Sequence, residues 1–171
     1  MLSHIIYAIA NVTAAGDCVS VNAGGASHST NFAAVSADAA SRSHFAQSCV
    51  QFITQNGFDG IDIDWEFPKA ADVENFTALL QALRSQLADQ GAADGREYLL
   101  TIASPASLSN IANLQLTVIH PLLDWINLLT YDFSTASSRK TNFIAPLFTH
   151  GGILDVNEVV HSYLSRRRTS R

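Results

Sequence analysis

A regular alternation of short apolar segments with longer amphipathic ones is the feature that most restricts the fold of this chain. The apolar segments are rich in branched and aromatic residues and predict buried strands; they are residues 4–12, 18–25, 57–67, 98–105 and 124–133. Apolar residues at helical spacing predict helices at 37–56, 72–87, 109–120 and 156–164. This order predicts an α/β fold with about five parallel strands and intervening helices.

A single domain is predicted for the chain. Its 171 residues match the usual length of one domain, 47% of them are apolar, and no low-complexity linker interrupts the alternation. A chain of this composition can bury a sizeable core and is not expected to be disordered.

The distribution of charge argues against nucleic acid as a partner. The net charge is −5, and four of the ten basic residues, Arg166, Arg167, Arg168 and Arg171, lie in the last six positions. The preceding 165 residues therefore carry 15 acidic and 6 basic side chains, and such a body repels polyanions. Residues 166–171 are interpreted as a solvated basic tail.

Neither a membrane span nor a signal peptide is predicted. No apolar run approaches the ~20 residues that a spanning helix needs. The start, "MLSHIIYAIANV", has an apolar centre but lacks the basic residues that open a signal peptide, so it is interpreted as a strand.

The two cysteines, Cys18 and Cys49, do not have the spacing of metal ligands. They could form a disulfide, but two separate buried thiols are the favoured interpretation. A phosphate-binding glycine-rich loop and a histidine cluster are also missing from the sequence, so no metal or organic cofactor is predicted.

The segment "FDGIDIDWEFP" (58–68) places four acidic residues in a stretch that is otherwise apolar. Alternate residues of a strand share a face, so the segment has an acidic face and an apolar face. The acidic face carries Asp62, Asp64 and Glu66, and the apolar face carries Ile61, Ile63 and Trp65. Because helical segments flank this strand on both sides, we expect it to be central in the sheet, with its apolar face covered by helices.

Such a row of carboxylates is costly, since each one loses hydration and repels its neighbours. The acids can coexist if they share a proton or if a cation neutralises them, and a raised pKa on the outermost acid suits a general acid near neutral pH. Two alternatives are a solvent-exposed edge strand whose acids face water and a site for a divalent cation such as Mg²⁺.

The acids also carry a family resemblance. Asp59, Asp62, Asp64 and Glu66 fit the pattern D-x-x-D-x-D-x-E within "GFDGIDIDWEFP", which resembles the signature of family-18 glycoside hydrolases, the chitinases and their relatives. Other segments agree in order: "HIIYAIANV", "NAGGASHSTNF", "YLLTIASPA" and "INLLTYDF" resemble the family's second, third, fifth and sixth strand regions. The similarity covers about residues 4–148.

The resemblance implies a (β/α)8 barrel, which takes about 250 residues when it is complete. The first, seventh and eighth strands have no counterpart here. We therefore expect a partial (β/α)8 barrel in which residues 1–165 form an incomplete catalytic domain and residues 166–171 form the tail.

The resemblance also implies roles for the acids. Glu66 would protonate the glycosidic oxygen, and the substrate's own 2-acetamido group would act as the nucleophile. Asp64 would orient that acetamido group, and Asp62 would share a proton with Asp64. Asp59, which has the opposite parity in the strand, is interpreted as structural.

Three further residues would contact the sugar. Tyr131 and Asp132 match the end of the family's M-x-Y-D motif and would contact the acetamido group and the sugar ring. Phe67, where relatives often have tyrosine, would line the same cleft.

The implied reaction is retaining hydrolysis of β-1,4 linkages between N-acetylglucosamine units. Chitin or a chitooligosaccharide is the first choice of substrate, and the chitobiose core of an N-glycan is the second. The alternative is a truncated, inactive domain that at most binds chitooligosaccharide, and a partner chain that supplies the missing strands is a further possibility. Oligomeric state stays open, and so does the compartment, although relatives are often secreted.

Overall fold

A computed structural model describes residues 10–20, 29–149 and 154–166. The strands are β1 (Ala10–Val12), β2 (Cys18–Ser20), β3 (Gly60–Ile63), β4 (Leu99–Ser104) and β5 (Trp125–Leu128). The helices are α1 (Phe32–Ser36), α2 (Ala39–Asn56), α3 (Val73–Asp94), α4 (Leu108–Ile111), α5 (Leu116–Ile119) and α6 (Val156–Arg166). The predicted basic tail beyond Arg166 and parts of the first two predicted strands, 4–9 and 21–25, lie outside the described residues.

The main sheet is parallel and has the order β3-β4-β5. The α/β class with a parallel sheet and intervening helices is therefore confirmed. Within the described residues β4 is the central strand, and β3 pairs with β4 alone. The expectation that the acid-bearing strand is central is not met in this part of the chain.

The first two strands differ from the prediction of five parallel strands. β1 and β2 pair antiparallel with each other, in a separate two-stranded sheet. The physical reason is the short connection, since a parallel pair needs a crossover of about a dozen residues or more, whereas a hairpin needs only a few. The turn is closed by hydrogen bonds from Thr13 N to Asp17 O and from Asp17 N to the Thr13 hydroxyl, both 3.0 Å.

The two long helices form where apolar periodicity predicted them. Helix α2 begins after Asp38, whose carboxylate accepts hydrogen bonds from the first-turn amides, and it ends at Gly57, which has a φ of 71°. Helix α3 continues to Asp94, seven residues past the predicted end. The helix extends this far because the alanine-rich "GAAD" favours helix, and Gly95 then supplies the left-handed stop.

The predicted helix at 109–120 is broken into α4, α5 and a 3₁₀ turn over His120–Leu122. Two polar side chains in the break bond to other elements rather than face solvent. Asn113 donates to the carbonyl of Pro68 at 3.1 Å, and Gln115 accepts from the hydroxyl of Thr77 at 2.7 Å. These tertiary contacts hold residues 112–115 in tight turns.

The core lies between the sheet and helices α2 and α3. Its fully buried side chains include Ile53, Leu79, Leu80, Leu83, Leu87, Leu100 and Ile102. Ile63 and Trp65 are also buried, and Trp65 stacks on Phe32 with ring centroids 5.4 Å apart and meets Phe76 edge-on at 5.7 Å. The prediction that helices cover the apolar face of the acid-bearing segment is confirmed.

The cysteines are free and buried, as the favoured interpretation expected. Their thiols are nevertheless in hydrogen-bond contact with each other, and burial raises the pKa of Cys49. The amide of Cys18 donates to the hydroxyl of Ser48 at 2.7 Å, which holds β2 against α2.

In the described part of the chain, no helix is both long enough and apolar enough to cross a membrane.

Arg84 joins α3 to the beginnings of two neighbouring strands. Its guanidinium donates to the carbonyls of Leu122 (2.7 Å) and Tyr98 (3.0 Å) and to the carboxylate of Asp124 (2.6 Å). The same oxygen of Asp124 accepts from the amide of Leu100 at 2.7 Å. The arginine therefore supports the positions of β4 and β5 beneath the helix.

Replacement of Arg84 by methionine is expected to lower the free energy of unfolding by about 2–3 kcal/mol, because it leaves part-buried carbonyls and a carboxylate without their donors. The matched control is Arg96→Met. Arg96 pairs with Asp59, but the two side chains are 44% and 75% exposed, so its loss should lower the free energy of unfolding by much less than the loss of Arg84. Urea unfolding of both variants measures the difference, and equal losses would contradict the assigned role of Arg84.

Candidate active site

The acidic side chains lie at the C-terminal end of β3. Asp62 is within the strand, which ends at Ile63, and Asp64 and Glu66 follow with the same alternation. All three are partly buried, and Asp64 interacts electrostatically with both Asp62 and Glu66. The prediction that these acids share one face is therefore met, and the alternative of acids that face open water is not supported.

Asp62 is held by two uncharged donors on neighbouring strands. The hydroxyl of Thr101 on β4 and the amide nitrogen of Asn127 on β5 both donate to its Oδ1, the latter at 2.9 Å. Burial raises the pKa of the Asp62 carboxyl, and the two hydrogen bonds oppose that rise because they favour the charged form.

Asp64 has the most perturbed carboxyl of the site. Its pKa is raised from 3.8 to about 6, first by burial and then by the charges of Glu66 and Asp62. Its Oδ1 is buried and has no hydrogen-bond partner among the described residues. An unsatisfied buried acceptor is unfavourable in the free protein, and it is available to a donor on a ligand.

Ser29 braces the backbone on which Asp64 and Glu66 are carried. Its hydroxyl accepts from the amide of Glu66 at 2.8 Å and donates to the carbonyl of Asp64 at 3.4 Å. Ser29 therefore fixes the backbone segment that carries both acids, although it precedes Asp64 by 35 positions and Glu66 by 37. The peptide bond between Glu66 and Phe67 is cis.

The segment after β5 brings a tyrosine and a further acid to the site. The pKa of Tyr131 is raised by burial and by the charges of Glu66, Asp64 and Asp132, so its hydroxyl lies within the electrostatic field of these carboxylates. Its side chain is 54% exposed and accessible to a ligand. Asp132 has a φ of 55°, a left-handed conformation that aspartate adopts more readily than most residues.

Two other residues stand apart from this cluster. Phe67 is half-buried, and within the described residues no ring contact joins it to Tyr131 or to another aromatic side chain. Asp59, which was interpreted as structural, lies before β3, where its carboxylate pairs with Arg96 and its carbonyl accepts from the amide of Leu99 at 2.9 Å.

The sequence reasoning missed Ser29, Thr101 and Asn127. A signal existed for two of them, since Thr101 and Asn127 are polar residues within otherwise apolar strand segments, and a buried polar side chain needs a hydrogen-bond partner. Ser29 gave no such signal, because serine is common in the loops that precede helices.

The geometry suits acid catalysis with stabilisation of positive charge. Glu66 is partly exposed beside a carboxyl that keeps its proton to about pH 6. A substrate that carries a hydrogen-bond donor can satisfy Asp64, and a cation that develops nearby would be stabilised by the acids. No group of three or more histidine, cysteine or acidic side chains with a metal-binding arrangement occurs among the described residues.

Comparison with known proteins identifies relatives over most of the chain. The family profile described as glycosyl hydrolases family 18 matches residues 17–171. The chain is 42% identical over 137 residues to Chitinase A1 of Niallia circulans, and the alignment covers 74% of this chain and 20% of that protein.

Solved structures of chitinases have the same fold over this region. Chitinase ChiA74 from Bacillus thuringiensis matches with a TM-score of 0.80 and 37% identity, over 84% of this chain and 25% of that one. A class V chitinase from Nicotiana tobaccum, in complex with NAG4, matches with a TM-score of 0.84 and 26% identity, over 92% of this chain and 55% of that one. These neighbours are TIM-barrel enzymes, so the prediction of a partial barrel is confirmed.

The raised pKa of Asp64 predicts a pH-dependent gain in stability when the acid is removed. The folded protein binds more protons than the unfolded chain between about pH 4 and 6, so its stability falls as the pH rises through that window. Asp64→Asn should raise the free energy of unfolding by about 1 kcal/mol at pH 7.5, after allowance for partial exposure, and by much less at pH 4. Asp89→Asn, at an exposed position of α3, is the control for denaturant unfolding at the two pH values. A gain that is equal at both values would contradict the prediction.

Proposed function

Since the chain belongs to glycosyl hydrolase family 18, we propose that it hydrolyses β-1,4 linkages between N-acetylglucosamine units of chitin or chitooligosaccharides, with retention of configuration. The observation that carries the proposal is Asp64. It lies between two other acids, has a buried oxygen with no hydrogen-bond partner in the described part of the chain, and has its pKa raised to about 6. A group with these properties is suited to accept a hydrogen bond from the N–H of a substrate acetamido group.

In the first step, Glu66 donates its proton to the glycosidic oxygen, and the bond between that oxygen and the anomeric carbon breaks. The carbonyl oxygen of the substrate's own acetamido group attacks the anomeric carbon and forms a positively charged oxazolinium ion. Asp64 accepts the acetamido N–H, which orients the carbonyl for attack, and its negative charge stabilises the cation.

In the second step, Glu66 takes a proton from a water molecule, which attacks the anomeric carbon and opens the oxazolinium ring. Two inversions at the same carbon give net retention. Asp62 shares the proton of the pair with Asp64, so the charge on Asp64 can adjust as the intermediate forms.

The sugar-binding residues in this proposal are Tyr131, Asp132 and Phe67. The charges of Glu66 and Asp64 act on Tyr131, and in this proposal its hydroxyl would donate a hydrogen bond to the acetamido carbonyl. Asp132 follows it and would contact a sugar hydroxyl, and Phe67, next to Glu66, would offer a ring on which a sugar can pack.

A second candidate is a truncated, inactive domain that at most binds chitooligosaccharide. The chain spans 20% of Chitinase A1 and 55% of the tobacco enzyme, and the observation that favours this candidate is exposed apolar surface. Four apolar side chains between 143 and 148 are 60–76% exposed, namely Phe143, Ile144, Leu147 and Phe148. In both cases residues 1–165 are proposed to form the incomplete catalytic domain, with a basic tail at 166–171.

The deciding experiment measures release of a fluorophore from chitobiose and chitotriose glycosides by the purified chain, by Glu66→Gln and by Glu97→Gln. Glu97 is an exposed acid ahead of β4, so Glu97→Gln makes the same chemical change away from the site. We expect Glu66→Gln to lose at least about 10³-fold in kcat, within the range for loss of a general acid, and Glu97→Gln to retain wild-type rates.

Two additional measurements separate the candidates. A cellobiose glycoside, which lacks the acetamido group, should not be cleaved, and ¹H NMR should show the β-anomer as the first product from chitooligosaccharide. Equal rates for wild type and Glu66→Gln would contradict the catalytic proposal. If calorimetry still detected chitotetraose binding, the binding domain would then be the supported function.

A further inference from the structure

We propose that Thr101, Asn127 and Trp125 form a hydrogen-bonded relay that positions Asp62 and so determines which carboxyl of the Asp62–Asp64 pair holds the proton. The inference rests on the proposed function for its catalytic consequence, but its structural part can be tested without turnover. None of the three residues is assigned to the proposed cleavage point. Thr101 lies on β4, and Trp125 and Asn127 lie on β5, whereas Asp62 belongs to β3.

The register of the sheet brings the relay together. Asp62 is the partner of Thr101 on β4, and Thr101 is the partner of Trp125 on β5, so the three residues form one row across the sheet. Asn127 is two residues beyond Trp125 and shares its face of the strand. Its neighbour on β4 is Ala103, whose small side chain leaves room for the amide to reach back to Asp62.

Trp125 fixes the orientation of the Asn127 amide. The indole N–H is a donor and cannot accept a hydrogen bond, so the atom that it meets at 3.0 Å is the amide oxygen of Asn127. The amide NH₂ group must then point the other way, and it donates to Oδ1 of Asp62 at 2.9 Å. A flipped amide would lose both hydrogen bonds, so the indole selects the orientation that holds Asp62.

Both donors of the relay act on the same oxygen of Asp62. The hydroxyl of Thr101 and the amide of Asn127 converge on Oδ1, and donors of this kind favour the ionised carboxylate. They oppose, without cancelling, the effect of burial, which raises the pKa of Asp62. The charge kept on Asp62 is in turn one of the causes that raise the pKa of Asp64, so the relay favours a proton on Asp64.

The other charged groups around Asp62 and Asp64 are the same in every variant, so their effect on the pKa values of the pair should not change. Among the described residues, Glu66 follows β3, and Tyr131 and Asp132 follow β5. From β4 the relay residue Thr101 faces Asp62 and carries no charge. A change in the titration of Asp64 on mutation of the relay is therefore attributable to Asp62.

The test is ¹³C NMR of the full chain labelled at the aspartate carboxyl carbons, with Asp64 assigned from the Asp64→Asn spectrum. In Thr101→Val and in Asn127→Leu, Asp62 should take up its proton at higher pH. The midpoint of Asp64 should then fall from about 6 by roughly half a pH unit or more, because its charged neighbour is weakened. Trp125→Phe should shift it in the same direction by less, and Thr101→Ser should restore the wild-type value.

The matched control is Thr77→Val. Thr77 is also a buried threonine whose hydroxyl donates to a side-chain oxygen, that of Gln115 at 2.7 Å, but it lies on α3 away from the acids. It should lose stability without any change in the Asp64 midpoint. If Thr101→Val and Asn127→Leu leave the midpoint where Thr77→Val leaves it, the relay has only a structural role and the inference is overturned.

Turnover supplies the catalytic part of the test. We expect Thr101→Val and Asn127→Leu to lower kcat about tenfold and to leave KM within about twofold of the wild-type value. The acid-side limb of the pH profile of kcat should shift in the same direction as the Asp64 midpoint measured by NMR. A shifted midpoint with a wild-type kcat profile would overturn the catalytic part of the inference. If the wild-type chain is inactive but the Asp64 midpoint shifts as expected in the variants, the result contradicts the proposed function and supports the relay.

Discussion

The parallel register of β3, β4 and β5 is the constraint on which the rest of the site depends. It sets Asp62, Thr101 and Trp125 in one row, and Asn127, two residues beyond Trp125, supplies the second uncharged donor to the Asp62 carboxylate after Thr101. A slip of one residue would turn every side chain of a strand to the opposite face, so the acids would enter the helix-covered core and Ile63 would replace them at the site. Close-packed side chains on the helix-covered face of the sheet stabilise this register, and so do the hydrogen bonds from Arg84 to residues ahead of β4 and β5.

The two faces of the acid-bearing segment have opposite effects on stability, because packing on one face is favourable and burial of carboxylates on the other is unfavourable. On one face, Trp65 stacks on Phe32 and meets Phe76, which anchors the segment through large apolar contacts. On the other face, Asp64 keeps a buried oxygen without a partner among the described residues. The favourable packing on one side offsets the unfavourable desolvation on the other, and the hydroxyl of Ser29 fixes the backbone between them.

The position of the acids in the fold relates the partial length of the chain to its proposed function. The acids, Tyr131 and their supporting strands lie in the part of the fold that the chain shares with the chitinases, and most of their mutual contacts are local to β3, β4 and β5. The exposed apolar side chains between 143 and 148 lie after the last of these strands. The arrangement of the carboxylates therefore depends on a compact set of strands.

The sequence by itself determined features that depend on near neighbours along the chain. Strand parity separated Asp62, Asp64 and Glu66 from Ile63 and Trp65, helical periodicity located the two long helices, and the spacing of the acids identified the family. The tertiary structure alone decided the break in the predicted helix at 109–120 and the donors on Asp62. Each of these depends on contacts between residues far apart in the sequence, and local periodicity carries no information about the register in which distant segments meet.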